Sequence, residues 1–227
     1  MVDKPGRRKK QSHGRTYLVL GVIIVLVLSS LSYAYATGLG PFKGPSTSTT
    51  TSTSAITPAL RYAMVNTSFG VFDIELFNSL TPKTVANFVN LVNQSFYNNL
   101  VWHRIVKGFV IQTGDPTTRF GTGNRDTWGE NSSGVYVPFE YAPSLMNDEY
   151  YIGMASTAPK TGGSSQFYIN LANNTSLDGS YAVFGKVISG YNVVQEIGNV
   201  TVATYGSDAD EPVTPVYVLS ITMITGP

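Results

Sequence analysis

The sequence predicts a mostly β domain over residues 60–227, an antiparallel barrel or sandwich with peripheral helices. Within residues 71–76, Phe72, Ile74 and Leu76 occupy every second position. This period of two in apolar side chains is typical of a half-buried strand. A second alternation covers residues 218–223, and its apolar members are Leu219, Ile221 and Met223. Strand and helix patterns do not alternate between these ends, which disfavours a doubly wound parallel sheet.

Two helices interrupt the strand-like segments. Thr81 and Pro82 predict an N-cap and a first helical residue, and the following apolar residues share one helical face, namely Val85, Phe88, Val89 and Val92. A shorter helix is predicted over residues 192–197, with Val193, Val194 and Ile197 facing inward. Residues 101–112 and 150–170 are rich in β-branched and aromatic residues and predict further strands. We expect the last strand to pair near the first and to close the sheet.

The N-terminal region predicts export of this domain. Six of the 15 basic residues and only one acid lie within residues 1–16, and residues 17–36 carry no charge. About 20 apolar residues in a helix span a bilayer, and a basic flank stays in the cytoplasm. We therefore expect a cytoplasmic tail (1–16), a transmembrane signal-anchor (17–36) and a flexible Ser/Thr-rich linker (37–59) before the domain (60–227).

The expected location is therefore the cell membrane, with a single span and the domain outside the cytoplasm. The small residues Ala34 and Ala36 also fit a signal-peptidase site, which leaves open a secreted protein cleaved near Ala36.

Composition excludes several kinds of chemistry. The chain has no cysteine and two histidines, His13 and His103, which excludes thiol chemistry and disfavours a histidine-based metal site. From residue 16 onward 9 bases face 13 acids, a net of −4, so nucleic acid is not an expected partner. No cofactor is expected. The glycine-rich segments 121–123 and 161–165 lack the Lys-Ser/Thr of a phosphate loop and are interpreted as turns.

Residues 102–115 combine polar side chains with a strand-like apolar background. Arg104, Phe109 and Gln112 are the notable members, although an isolated arginine is more often a surface or ion-pair residue. This segment resembles the cyclophilin family of peptidyl-prolyl isomerases, as do four others in the same order, at residues 153–155, 163–169, 177–179 and 183–187. The resemblance runs from Met64 to Ile224 and implies a closed eight-stranded antiparallel β-barrel with two peripheral helices.

The resemblance also implies the site. Arg104 matches the catalytic arginine, and Gln112 matches the glutamine that places it and contacts the substrate. The expected substrate-binding residues are Phe109, Val110, Ala155, Ser156, Gln166, Tyr168, Leu177 and Tyr181. His103 precedes the arginine in the family pattern and is interpreted as a packed core residue rather than a catalyst.

Several positions depart from the commonest family pattern. Tyr168 stands where phenylalanine is usual, Tyr181 where histidine is frequent, Ser156 for asparagine and Val110 for methionine. Ser176 replaces the aromatic residue that borders the groove in many members. Because that aromatic helps to hold cyclosporin in the family, we expect weak cyclosporin binding.

The function that follows is isomerisation of X-Pro bonds in exported proteins, which assists their folding. Rotation about a peptide bond meets a barrier of ~18–20 kcal/mol from amide resonance, and a guanidinium near the proline nitrogen stabilises the twisted state more than the planar one. The runner-up is a non-catalytic, membrane-tethered peptide-binding or chaperone module on the same fold. A small-ligand carrier ranks last, because barrels of this width are usually filled by side chains.

Overall fold

The computed structural model describes residues 61–205 and 208–226. The predicted tail (1–16), signal-anchor (17–36) and linker (37–59) lie outside the described residues. Among the helices of the described ranges, none has the length and apolar character needed to cross a bilayer.

The described part of the chain forms eleven strands and two α-helices. The strands are β1 (Arg61–Thr67), β2 (Gly70–Leu76), β3 (Leu100–Val101), β4 (Arg104–Val106), β5 (Val110–Thr113), β6 (Tyr151–Met154), β7 (Phe167–Asn170), β8 (Val183–Ser189), β9 (Val202–Tyr205), β10 (Asp208–Pro212) and β11 (Tyr217–Ile224). The helices are α1 (Pro82–Asn93) and α2 (Tyr191–Gly198), and 3₁₀ turns cover Pro116–Gly121, Arg125–Thr127 and Thr175–Leu177.

Nine strands form one antiparallel sheet in the order β3-β11-β1-β2-β8-β6-β7-β5-β4. The edge strands β3 and β4 do not pair with each other, so the sheet is open and curled, and the expectation of a closed eight-stranded barrel is wrong. The strands β9 and β10 form a separate two-stranded hairpin that the sequence did not predict. The last strand, β11, pairs with β1, which the sequence did not predict, and β1 separates it from β2, the strand predicted over residues 71–76.

Two hydrogen bonds surround the crossing from β3 to β4. The chain crosses from β3 to β4 through Trp102 and His103, and the N–H of Trp102 donates to the carbonyl of Val216 at 2.9 Å. The carbonyl of Val101 accepts a hydrogen bond of 2.8 Å from the hydroxyl of Thr113 on β5. A side-chain hydrogen bond from β5 therefore reaches the edge strand β3.

Both predicted helices form, with the predicted faces buried. In α1 the buried residues include Val85, Phe88, Val89 and Val92, and in α2 they include Val193, Val194 and Ile197. Thr81 occupies the N-cap of α1, but its side chain makes no capping hydrogen bond. The carboxylate of Glu140 caps the helix instead, because it accepts hydrogen bonds from the N–H groups of Lys83 and Thr84 at 3.1 and 2.7 Å.

The last strand departs from its predicted alternation. Val218 and Ile221 are buried, whereas Leu219 is 40% exposed. The register with β1 shifts at this point, since Thr67 pairs with Val218 and Asn66 with Ser220. Leu219 is thus the extra residue of a β-bulge, which changes the face on which the following side chains lie.

Two neighbouring rows of cross-strand partners determine on which face of the sheet the candidate site lies. Directly opposed residues of adjacent strands point to the same face of a sheet. One row runs across four strands as Ile105, Ile111, Ile169 and Ile152, all of them buried in the core. The adjacent row, displaced by one residue along each strand, runs as Arg104, Gln112, Tyr168 and Gly153 on the opposite face.

Candidate active site

The row of Arg104, Gln112 and Tyr168 borders a cavity of about 250 Å³, here called the central cavity. Most of the residues predicted for the site line it, namely Arg104, Phe109, Val110, Gln112, Ala155, Ser156, Tyr168, Leu177 and Tyr181. Its walls combine apolar and aromatic side chains with the cation of Arg104 at one end. Such a cavity fits a small apolar ring that carries a polar group at its edge.

Gln112 is held by a short chain of hydrogen bonds. Its side-chain N–H donates to the side-chain oxygen of Gln166 at 2.8 Å. Gln166 in turn donates both amide hydrogens, to the carbonyls of Gly129 and Asn131, each at 2.7 Å. The amide of Gln112 is therefore fixed in orientation beside its cross-strand partner Arg104.

Arg104 is half-buried on β4, at the edge of the sheet. Two ion pairs occur among the described residues, Arg125 with Glu211 and Lys186 with Glu75, and neither involves Arg104. Among the described residues, no carboxylate therefore lies within ion-pair distance of this guanidinium. A charge so placed is suited to act on a bound polar group.

Gln166 is the one predicted site residue that does not line the central cavity. It lines a second cavity of about 210 Å³, here called the polar cavity, which shares Gln112, Ala155 and Ser156 with the central one. The two cavities thus form one continuous groove, with Gln112 at their junction.

Tyr168 forms a wall of the central cavity and is 4% exposed. A Cβ atom on Gly153 would lie 2.2 Å from its ring, so the glycine opposite is required for the tyrosine to fit. Its ring meets that of Tyr181 edge-on, with the centroids 6.1 Å apart. Burial raises the pKa of Tyr168, with Tyr181 and Asp178 adding to the effect, so the hydroxyl stays protonated.

The hydroxyl of Tyr168 donates to the side-chain oxygen of Asn147 at 2.7 Å. Asn147 is itself 1% exposed, and its backbone N–H donates to the carboxylate of Asp178 at 2.7 Å. The hydroxyl that sets Tyr168 apart from the family's usual phenylalanine is thus used behind the cavity wall. Sequence reasoning missed Asn147, because nothing in its local pattern indicates a partner 21 residues away.

His103 is 2% exposed, in agreement with its interpretation as a packed core residue. Burial lowers the pKa of His103 to about 4, against the opposing influence of the Asp115 carboxylate. Gln166 and the carbonyl of Val101 lie near the imidazole, but neither ring nitrogen makes a hydrogen bond of regular geometry. Both amide hydrogens of Gln166 are already donated elsewhere. The ring is therefore neutral at ordinary pH.

Two of the departures from the family pattern lie at the rim of the groove. Ser176 is exposed, in the 3₁₀ turn Thr175–Leu177, and is not among the residues that line the central cavity. Ser156 lines the cavity, and its hydroxyl donates to the carbonyl of Ala158 at 2.8 Å.

Comparison with known proteins identifies the family. Residues 62–223 match the model of the cyclophilin type peptidyl-prolyl cis-trans isomerase family. A peptidyl-prolyl cis-trans isomerase-like 1 protein of Aspergillus fumigatus is 40% identical over 147 residues, which make up 64% of this chain and 87% of that protein. A peptidyl-prolyl cis-trans isomerase of Acinetobacter baylyi is 36% identical over 170 residues, 72% of this chain and 86% of that one.

Solved structures agree with the sequence relatives. A crystal structure of a Cryptosporidium parvum cyclophilin type isomerase superposes with a TM-score of 0.63 at 29% identity, and the match covers 74% of this chain and 99% of that chain. A second structure of that protein, in the presence of the dipeptide Ala-Pro, gives a TM-score of 0.61 at 30% identity and covers 72% and 98% of the two chains.

Proposed function

The chain belongs to the cyclophilin type peptidyl-prolyl cis-trans isomerase family and is a peptidyl-prolyl isomerase, and we propose that Arg104 carries the reaction on X-Pro bonds of exported polypeptides. The single observation that supports these roles is the central cavity, which combines an apolar pocket with one cation that forms no ion pair among the described residues. The related structure in the presence of Ala-Pro is consistent with a proline ring as the occupant of such a pocket.

The reaction needs a group that favours the twisted peptide bond over the planar one. Loss of amide conjugation localises the lone pair on the proline nitrogen, which becomes a better hydrogen-bond acceptor. A guanidinium at the cavity edge donates to that nitrogen more strongly in the twisted state than in the ground state, and this difference in binding lowers the barrier. Phe109, Tyr168 and Leu177 hold the ring while the preceding carbonyl rotates.

Gln112 contributes to this arrangement through its position next to Arg104. It stands directly opposite Arg104 across the β4–β5 ladder, and its hydrogen bond to Gln166 prevents it from swinging into the cavity. Ala155 and Ser156 line both the central and the polar cavity, where a substrate chain would continue beyond the proline.

Exchange NMR on a prolyl tetrapeptide with the full-length chain tests the proposed roles. We expect catalysed cis–trans exchange, with a mild decrease in Gln112→Ala because this residue positions rather than reacts. A folded wild-type chain that leaves the exchange rate unchanged would overturn the proposal and favour a peptide-binding module.

The exported clients follow from the N-terminal sequence. A basic stretch over residues 1–16 precedes the uncharged residues 17–36, the order that places the following domain outside the cytoplasm. We expect protease added to intact cells to digest or release the domain. A domain that is protected until the cells are lysed would exclude the exported role, and a mature N-terminus at Thr37 would establish a secreted form.

A further inference from the structure

A third cavity, here called the acidic cavity, adjoins the central cavity at Arg104 and Gln112. It has a volume of about 370 Å³, and its lining residues are His103, Arg104, Gln112, Trp128, Gly129, Glu130, Asp210 and Glu211. Of these residues, Arg104 and Gln112 also line the central cavity, and the others do not. A ligand group in the acidic cavity therefore lies within a residue or two of a proline in the central cavity, since an extended chain advances roughly 3.3 Å per residue.

The charge of the acidic cavity is set by a hairpin that is anchored in place. Glu211 on β10 is 1% exposed, and its carboxylate pairs with the Arg125 guanidinium at 3.0 Å. That guanidinium also lies over the rings of Trp128 and Tyr205, at 4.8 and 3.8 Å from their centroids. The contacts of Arg125 thus fix the hairpin against the segment that carries Trp128, and Asp210 is held at the cavity with it.

Two further carboxylates face the acidic cavity, from Glu130, which is exposed, and Asp210, which is half-buried. Because Arg125 neutralises Glu211, these two carboxylates set the charge of the cavity, and they outnumber the single lining cation, Arg104. The buried carboxylate of Asp115 lies close enough to His103 to add to the negative potential. An acceptor-rich cavity of this kind favours a cationic occupant.

His103 provides a second and independent indication of a ligand. Its imidazole is 2% exposed and lines the acidic cavity, and neither nitrogen makes a hydrogen bond of regular geometry, although Gln166 and the Val101 carbonyl lie near the ring. Gly129, at φ +92°, faces this ring, and a Cβ at that position would lie 3.3 Å from both Nε2 and Cδ2. The missing side chain leaves this edge of the imidazole uncovered. A neutral imidazole has one acceptor nitrogen, which an N–H donor in the cavity would satisfy.

The spacing of these groups selects the kind of cation. No group of three or more His, Cys, Asp or Glu side chains within the described ranges is close enough to hold a metal ion. Acceptors that are spread along a cavity suit an elongated organic cation, whose several N–H donors can reach separate partners.

We propose that the acidic cavity is a specificity subsite that binds the side chain of a lysine or arginine located next to the proline, or next but one, in the polypeptide substrate. This inference rests on the proposed isomerase site, because the substrate must occupy the central cavity at the same time. Glu130 and Asp210 attract the cation, His103 accepts one of its hydrogen bonds, and Arg125 and Glu211 hold the hairpin that completes the subsite.

The test compares prolyl peptides that differ only in charge. Tetrapeptides with Lys, Gln or Glu before the proline, and a second set with the same residues after it, are assayed with the full-length chain by exchange NMR. At one of the two positions we expect kcat/KM to fall in the order Lys, Gln, Glu. The Lys peptide should exceed the Gln peptide by about two- to fivefold, the range expected for ion pairs that remain partly accessible to solvent.

Matched variants locate the source of this preference. The double substitution Asp210→Asn and Glu130→Gln removes charge with little change of shape, and asparagine tolerates the φ of +72° at position 210. We expect it to bring the Lys-to-Gln ratio close to one. Glu196→Gln, an exposed glutamate on α2, is the control and should keep the wild-type ratio.

The outcomes separate the two proposals. A wild-type chain that catalyses every peptide without charge preference overturns the subsite and leaves the isomerase function standing. A preference that survives the double substitution also overturns it. A wild-type chain that is inactive on every peptide overturns the proposed function itself.

Discussion

The two adjacent rows of cross-strand partners lie on the same four strands but differ in their surroundings. Ile105, Ile111, Ile169 and Ile152 fill the core, whereas Arg104, Gln112 and Tyr168 face the central cavity and Gly153 packs against the ring of Tyr168. A single step along each strand separates the two rows. The core row consists of one residue type, and the site row contains a cation, an amide, a phenol and a glycine.

The difference shows how the fold positions the site. Side chains of a strand alternate between faces, so the register that buries the four isoleucines also brings Arg104, Gln112 and Tyr168 together on the other face. A shift of one residue between β4 and β5 would bury a guanidinium and expose an isoleucine. The register that builds the hydrophobic core thus also sets the positions of the side chains for which we propose roles in catalysis.

The largest expected effect is on catalysis, from the site row. Arg104→Ala should lower kcat/KM for a prolyl peptide by about 10²–10³, the usual cost of removing one preorganised charge-stabilising donor. Arg104→Lys should recover little, because an ammonium lacks the planar fork of the guanidinium. Exchange NMR measures the rate and circular dichroism the fold. A folded Arg104→Ala chain with near wild-type rates would remove Arg104 from the mechanism.

A substitution in the core row should instead lower the stability of the folded chain. Ile111 is fully buried between Ile105 and Ile169, and Ile111→Ala should reduce the free energy of unfolding by about 2–5 kcal/mol. Denaturant titration measures this loss. At a temperature where the variant stays folded, kcat/KM should fall far less than in Arg104→Ala. A catalytic loss as large as that of Arg104→Ala, without loss of stability, would contradict the separation of the rows.

Sequence periodicity predicted both helices and part of the sheet, but it did not predict every buried face. The inward faces of both helices follow from a period of 3.6, which tertiary contacts do not disturb. The alternation over 218–223 failed at Leu219, because a bulge opposite Asn66 and Thr67 inserts one residue. A bulge depends on the pairing partner, which the local pattern does not contain.

Closure of the sheet could not be predicted for a similar reason. The pattern predicted some of the strands but not β1, the strand that pairs with β11, and whether β3 pairs with β4 depends on contacts distant in sequence. The same limit applies to the site. The family pattern identified the residues of the central cavity, whereas Glu140 at the cap of α1 and Asn147 behind Tyr168 are recognisable only from contacts distant in sequence.

His103, which directly precedes the site row, should make the domain sensitive to acid. Its pKa in the folded state is about 4, below the ordinary value of 6.5, so the folded state favours the neutral ring. The unfolded chain takes up a proton below about pH 6.5, and the folded chain does so only near pH 4. The free energy of unfolding should therefore fall by about 3 kcal/mol as the pH drops through this window.

Denaturant titrations at several pH values test this effect, with His103→Gln as the comparison. The variant keeps the carboxylates and His13, so only the contribution of His103 is lost. We expect a shallower loss of stability in His103→Gln between pH 6.5 and 4. Identical slopes in the two chains would show that His103 does not account for the acid sensitivity.

The smallest expected effect comes from Tyr168, which shares features of both rows. Its ring lines the central cavity, but its hydroxyl donates to the buried side chain of Asn147 at 2.7 Å. Tyr168→Phe removes that bond and leaves the Asn147 oxygen with a much longer contact of 3.5 Å, to Asn170. Because a lost buried hydrogen bond costs about 1–3 kcal/mol, we expect a reduction of that size in the free energy of unfolding.

The same substitution should change kcat/KM by no more than about twofold, since the aromatic wall of the cavity is retained. Tyr62→Phe, which removes a hydroxyl from β1 outside the site, is the matched control for the loss of a phenol group. Denaturant titration and exchange NMR on the same preparations distinguish the two roles of Tyr168. If Tyr168→Phe kept its stability and lost activity, the hydroxyl would act on the substrate rather than on Asn147. The Tyr168 hydroxyl would then belong with the site row, whose side chains act on the substrate, and not with the core row, whose side chains stabilise the fold.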